Sequence, residues 1–126
     1  MSGGIVHKHI ILRIKANNPP TEEELREWMV NLVDKVGMKV LAGPISANID
    51  YMPGNNGPTC VVIIETSHFA CHVWNDVDPA LIQLDVYTCG PFNPQDVIDH
   101  IQVWDPVKVE HKLLDREFGL NEIEIS

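Results

Sequence analysis

Between Thr59 and Gly90 the chain gathers side chains that can attack a carbonyl, accept a proton or deliver one. The stretch Glu65-Thr66-Ser67-His68-Phe69-Ala70-Cys71-His72 holds a carboxylate, two hydroxyls, a thiol and two imidazoles. It follows the apolar, β-branched run Val61-Val62-Ile63-Ile64, which reads as a buried strand. Such a cluster costs stability when buried without partners, so it is either a well-bonded core feature or a site. A second run, Leu84-Asp85-Val86-Tyr87, stops at Thr88-Cys89-Gly90 and puts another thiol at a strand end. Nucleophile-capable groups at two strand ends fit covalent or proton-transfer chemistry.

Other chemistries are poorly served. Four residues apart on a strand, His68 and His72 lie roughly 13 Å from each other, too far to share one metal ion. Cys60, Cys71 and Cys89 form neither a disulfide framework nor a zinc motif, and their odd number suits a reducing compartment. By type and place Cys60 is a small core residue, and Cys71 points away from His72. No glycine-rich phosphate loop occurs. A formal charge of −9, from 18 acidic and 9 basic residues, repels phosphate backbones and argues against nucleic acid as a partner. No run of apolar residues is long enough to span a membrane, and Met1-Ser2-Gly3-Gly4 does not open a signal peptide, so a cytoplasmic protein is expected.

At 126 residues and 44% hydrophobic content the chain fits one domain, residues 1–126, with a compact core. Ile5 to Ile14 alternates as a half-buried strand, with Val6, Ile10, Leu12 and Ile14 on one side and His7, His9 and Arg13 on the other. Thr21 and Glu24 make a capping box for a helix from Glu22 to Val36, whose stripe is Leu25, Met29, Leu32, Val33 and Val36. Gly37 stops it. Met38 to Tyr51 reads as a strand interrupted at Gly43-Pro44, with Ile45, Ala47, Ile49 and Tyr51 on one face. The segment from Pro53 to Pro58 is a loop. The central strand is followed by strands from Ser67 to Trp74 and from Leu81 to Thr88, expected to be hairpin neighbours. Asn93-Pro94 starts a second helix with Val97, Ile98, Ile101 and Trp104 on its apolar face, closed by Pro106. Val107 to Leu113 is a last strand, and the acidic tail from Asn121 is expected to be loose. The fold class is α+β: an antiparallel β-sheet with two helices on one face, in two pseudo-symmetric halves of three strands and one helix each.

Ser67-His68-Phe69-Ala70-Cys71-His72-Val73-Trp74, followed by Leu84-Asp85-Val86-Tyr87-Thr88-Cys89-Gly90, resembles the short prokaryotic S-adenosylmethionine decarboxylases. Those proteins carry Glu-Ser-His, a histidine five residues after that serine, a tryptophan two further on, and an Asp-x-Phe-Thr-Cys-Gly block. The resemblance covers nearly the whole chain in element order and is specific over residues 59–90. It implies that Ser67 is the precursor of a covalent pyruvoyl cofactor. Its hydroxyl would attack the Thr66 carbonyl in an N-to-O acyl shift, and elimination would cut the chain into residues 1–66 and 67–126. The ketone left at the new N-terminus would form a Schiff base with the substrate amine and act as electron sink for loss of the carboxylate.

The resemblance further implies that His72 assists processing by removing the α-proton of the ester. Cys89 would return a proton to the product carbon, and Thr59 would help hold the scissile region. Tyr51 and Trp74 would contact the adenine or line its cleft, Asp76 would accept bonds from ribose hydroxyls, and the protein would act as a homodimer. The expected role is decarboxylation of S-adenosylmethionine for spermidine and polyamine synthesis. Two positions depart from the pattern. Thr66 stands where relatives have glutamate, and its branched side chain beside the attacked carbonyl is expected to slow the acyl shift. Arg13 stands where the first strand of relatives offers an acid, which a cationic substrate would feel. The alternatives are the same chemistry on another amino acid, such as ornithine or arginine, and an uncut relative that binds a ligand or a partner.

Overall fold

The computed structural model describes residues 7–125. Its frame is one sheet of seven strands in the order β2-β3-β4-β5-β1-β6-β7, every neighbouring pair antiparallel. The strands are β1 (Lys8–Ala16), β2 (Val40–Ile49), β3 (Gly57–Ile64), β4 (Ser67–Trp74), β5 (Ala80–Thr88), β6 (Pro106–Asp115) and β7 (Asn121–Ile123). The helices are α1 (Glu22–Lys35) and α2 (Pro94–His100), the latter running on into a 3-10 turn over Ile101–Trp104. The first strand in sequence thus lies between β5 and β6, inside the second half of the chain.

Alternation decides which face is covered. Ile10, Leu12 and Ile14 of β1, Cys60, Val62 and Ile64 of β3, Phe69, Cys71 and Val73 of β4, and Ile82, Leu84 and Val86 of β5 are all buried. They form one core with Leu25, Met29, Leu32 and Val33 of α1 and with Val97, Ile101 and Trp104 of the second helical segment. The capping box is present as the sequence predicts, with Glu24 N–H donating to Thr21 Oγ1 at 3.2 Å and Thr21 N–H to Glu24 Oε1 at 2.9 Å.

Trp28 lies outside the predicted stripe yet is buried, because α1 meets α2 on that flank. Its indole stacks on Trp104 at 4.2 Å and donates to the His100 carbonyl at 3.0 Å. Trp28→Ala should therefore destabilise the fold by about 3–5 kcal/mol, read as a lower denaturation midpoint, with Trp28→Phe recovering most of the loss.

Several boundaries move. The tail expected to be loose forms β7, because Leu113, Leu114 and Asp115 offer it an edge to pair with. Tyr51 lies beyond the end of β2 and is exposed, since the turn before Gly57 begins there. Ile45 and Ala47 share a face as expected, but that face is exposed because, through their pairing with Val61 and Thr59, it is the one turned away from the helices. β3 starts at Gly57, inside the predicted loop, and residues Ile5 and Val6 lie outside the described part of the chain.

The face away from the helices carries the polar residues. Strand register sets them in rows: Ile63, His68, Tyr87, His9; then Val61, Ala70, Asp85, Ile11; then Thr59, His72, Gln83, Arg13.

Candidate active site

Glu65 and Thr66 form the two-residue turn between β3 and β4, and Ser67 follows with φ 155°. A residue with a side chain held in that region costs on the order of 1–3 kcal/mol and persists only where its surroundings over-determine it. Here they do. The Glu65 N–H donates to the Lys39 carbonyl at 3.1 Å, and the Cys89 N–H donates to the Thr66 carbonyl at 2.7 Å. Thr66 Oγ1 lies 3.1 Å from Thr88 Oγ1 and 3.3 Å from Met38 Sδ. Thr88 is fully buried, and its hydroxyl accepts the Gly90 N–H at 2.9 Å, so one hydroxyl ties the turn to the strand end carrying Cys89.

The Thr66 carbonyl is the one next to the Ser67 hydroxyl. A fixed N–H on its oxygen would stabilise negative charge developing there if a nucleophile added to that carbonyl. Ser67 Oγ lies 3.3 Å from His68 Nδ1, which gives the hydroxyl a neighbouring proton acceptor. Next to this turn are two histidines without a recognisable motif. His7 Nδ1 is 3.5 Å from Cys89 Sγ and 3.3 Å from the Tyr87 hydroxyl. His9 bonds Asp85 through Nε2 and meets Arg116 Nη1 at 3.0 Å, while the Arg116 guanidinium lies 4.2 Å above the Tyr87 ring. Burial pushes the Asp85 carboxyl up, but the hydrogen bond and charge of His9, with His68 and Arg116, outweigh it and hold the group below the usual carboxylate range. Only the alternation they share with Arg13 along the first apolar segment would have pointed to His7 and His9.

The remaining candidates stand at the other end of the face. Thr59 Oγ1 lies 3.1 Å from His72 Nδ1, and the His72 and Trp74 rings are 6.0 Å apart. Trp74 donates to Asn55 Oδ1 at 2.8 Å. Asp76 Oδ2 accepts the Gly54 N–H at 2.6 Å and the Asn56 N–H at 3.3 Å, so its carboxylate organises the loop that follows Tyr51. On β4, His72 is about 17 Å and Trp74 about 23 Å along the strand from Ser67. Within one chain, Ser67, Thr66 and Cys89 are thus together, whereas Thr59, His72, Trp74, Asp76 and Tyr51 are not beside them.

Between the two ends runs a groove of about 830 Å³, lined in part by Arg13, His72, Gln83, Asp85, Glu110 and Lys112. Arg13 faces Glu110 across β1 and β6 at 3.4 Å, which offsets its charge locally. Cys60 and Cys71 are buried in the core, and burial raises both thiols above their ordinary range, Cys71 far above it. Among the described residues no three histidine, cysteine or acidic groups converge as a metal-binding set. Nor is any described helix long and apolar enough to cross a membrane.

The family model described as S-adenosylmethionine decarboxylase matches residues 9–117. An S-adenosylmethionine decarboxylase proenzyme from Hydrogenobaculum sp. (strain Y04AAS1) is 32% identical over 113 residues, covering 86% of this chain and 79% of the relative. An arginine decarboxylase proenzyme from Aeropyrum pernix is 32% identical over 90 residues, covering 68% of this chain and 64% of that protein. In fold, the chain is similar to the crystal structure of the adenosylmethionine decarboxylase from Aquifex aeolicus, with TM-score 0.71 and 24% identity over 98% of this chain and 99% of that one. A family match spanning the turn at Ser67, the Cys89 strand end and the Thr59–His72 pair places this chain in the S-adenosylmethionine decarboxylase family.

Proposed function

We propose that this chain is a self-processing, pyruvoyl-dependent decarboxylase that cuts itself between Thr66 and Ser67 and acts on S-adenosylmethionine in polyamine synthesis. The observation that carries the reading is the strained Ser67 beside a Thr66 carbonyl already bonded to the Cys89 N–H at 2.7 Å. Attack by Ser67 Oγ on that carbonyl forms the ester and breaks the amide, the hydroxyl proton passing by way of His68 to the departing nitrogen. The shift also releases the backbone strain at Ser67. Elimination then leaves Ser67 as the start of a second chain, which fits a serine-derived group. When present, that pyruvoyl group supplies an electrophilic carbonyl that takes the substrate amine and draws off the electrons of the departing carboxylate.

The role assigned to His72 requires a second copy. About 17 Å along β4 from its own Ser67, it cannot reach that residue's α-proton. A two-fold axis near Ala70 would bring the Thr59 and His72 of one copy toward the Ser67 of the other, twice over. The exposed Ile45 and Ile63 on the same face give such a homodimer apolar surface to bury. Trp74, Tyr51 and Asp76 would then approach the partner's substrate cleft, with Asp76 holding the loop.

Cys89 would return the proton to carbon after carboxylate loss, a task a thiol performs near neutral pH and a hydroxyl does not. Cys89→Ser should still be cut, yet turn over slowly, and the mass of its C-terminal chain should drift with use to that of one beginning with alanine. Cys60→Ser and Cys71→Ser should lose stability only. Full turnover by Cys89→Ser without that drift would return Cys89 to a structural role.

Intact-protein mass tests the central claim. Two chains, residues 1–66 and 67–126 with the second lacking its amino group, are expected; a single chain of 126 residues in active preparations would sink it. The second reading, the same chemistry on arginine, is favoured by the Aeropyrum pernix relative. Carbon dioxide release from S-adenosylmethionine and from arginine, measured side by side, separates the two.

A further inference from the structure

We infer that His7 is the proton partner of the Cys89 thiol, a positioning and relay residue for the decarboxylation proposed above, on which reading the catalytic half of this inference rests. Just ahead of β1, in line with the Lys8–Thr88 pairing, His7 comes opposite Cys89. Its backbone is fixed there by the Arg116 N–H, which donates to the His7 carbonyl at 2.9 Å. Its Nδ1 lies 3.5 Å from Cys89 Sγ and 3.3 Å from the Tyr87 hydroxyl, so one nitrogen meets both groups. Tyr87 is itself clamped, with Arg116 4.2 Å above its ring, the His9 ring at 5.3 Å and the His68 ring at 5.8 Å. The titratable and charged groups around the pair are therefore Tyr87 and Asp85 of β5, His68 of β4, His9 of β1 and Arg116 after β6.

The step balances without any redox partner. The S–H proton goes to the substrate carbon that has lost its carboxylate, leaving a thiolate. Imidazolium Nδ1–H then gives its proton to sulfur, leaving the neutral Nε2–H tautomer, and Nδ1 takes its next proton from solvent. The cationic ring also stabilises the thiolate while it lasts.

The test has two arms, both comparing wild type with His7→Ala and His7→Gln, after circular dichroism has checked that each variant folds. The first arm follows alkylation of Cys89 by iodoacetamide from acidic to alkaline pH, read by peptide mass. It needs no cleavage, and the two buried thiols do not compete. Both variants should differ from wild type, with alkylation of Cys89 at neutral pH slower by on the order of tenfold. The second arm measures turnover of cut enzyme. kcat should fall by on the order of tenfold to a hundredfold with KM little changed, and added imidazole should restore His7→Ala but not speed wild type. Superimposable alkylation profiles overturn the inference. So does an altered profile accompanied by unchanged kcat and no rescue. If wild type is found uncut, the proposed function fails, while the alkylation arm still decides whether His7 and Cys89 share a proton.

Discussion

Replacing Ser67 by alanine is expected to leave one uncut chain of 126 residues with no decarboxylase activity above background. The substitution removes the attacking oxygen and nothing else. Thr66 keeps its carbonyl bond to Cys89 N–H and its hydroxyl contact with Thr88, so the turn survives. Stability should stay close to that of uncut wild type, because the φ of 155° strains alanine as it strains serine. Ser67→Gly supplies the control: also uncut and inactive, it should be more stable than Ser67→Ala by about 1 kcal/mol, since glycine adopts that backbone without a side-chain penalty. Carbon dioxide release by Ser67→Ala, from S-adenosylmethionine or arginine, would show that catalysis never needed a serine-derived group.

Co-expression of Ser67→Ala with His72→Ala should restore cutting that neither variant achieves alone. Each pure variant lacks one half of every site. In a mixed dimer, one of the two sites combines Ser67 from the His72→Ala chain with His72 from the Ser67→Ala chain. Random pairing makes about half of the dimers mixed, so about half of the His72→Ala chains should be cut, and none of the Ser67→Ala chains. The effect is all-or-none in its direction, and mass spectrometry assigns each product to its parent. Cutting of His72→Ala on its own at the wild-type rate would remove His72 from processing altogether. A mixture in which both chains stay intact would rule out a site shared between copies.

Residue type and strand ends marked Ser67, His72 and Cys89 as candidates, and the family resemblance added Thr59; all four lie at or near the end of a strand whose apolar alternation is plain. The helix with Thr21 as its cap and the antiparallel sheet were legible for the same reason: both are local patterns. What the sequence hid is created by pairing between distant segments. His7 and His9 gain their partners only when β1 aligns with β5, some eighty positions away in Tyr87, Asp85 and Cys89. Trp28 is buried by a helix that begins at Pro94, and β7 exists only because β6 offers an edge. The separation of His72 from Ser67 was readable in principle, since five positions on one strand fix a length, but it has meaning only once the open face is known.

The place of β1 between β5 and β6 bears on what a cut after Thr66 produces. The first fragment supplies β1, β2 and β3, and the second supplies β4 to β7. Three of the six strand ladders, β3 with β4, β5 with β1 and β1 with β6, then join separate polypeptides. The first fragment's β1 touches no other strand of its own chain, so it has no sheet to fall back on. Such a cut would turn one folded molecule into an obligate hetero-assembly of interlaced halves, each a template for the other. A chain that unfolds after the cut must find its other half by collision, so the intact precursor is the form that can refold on its own.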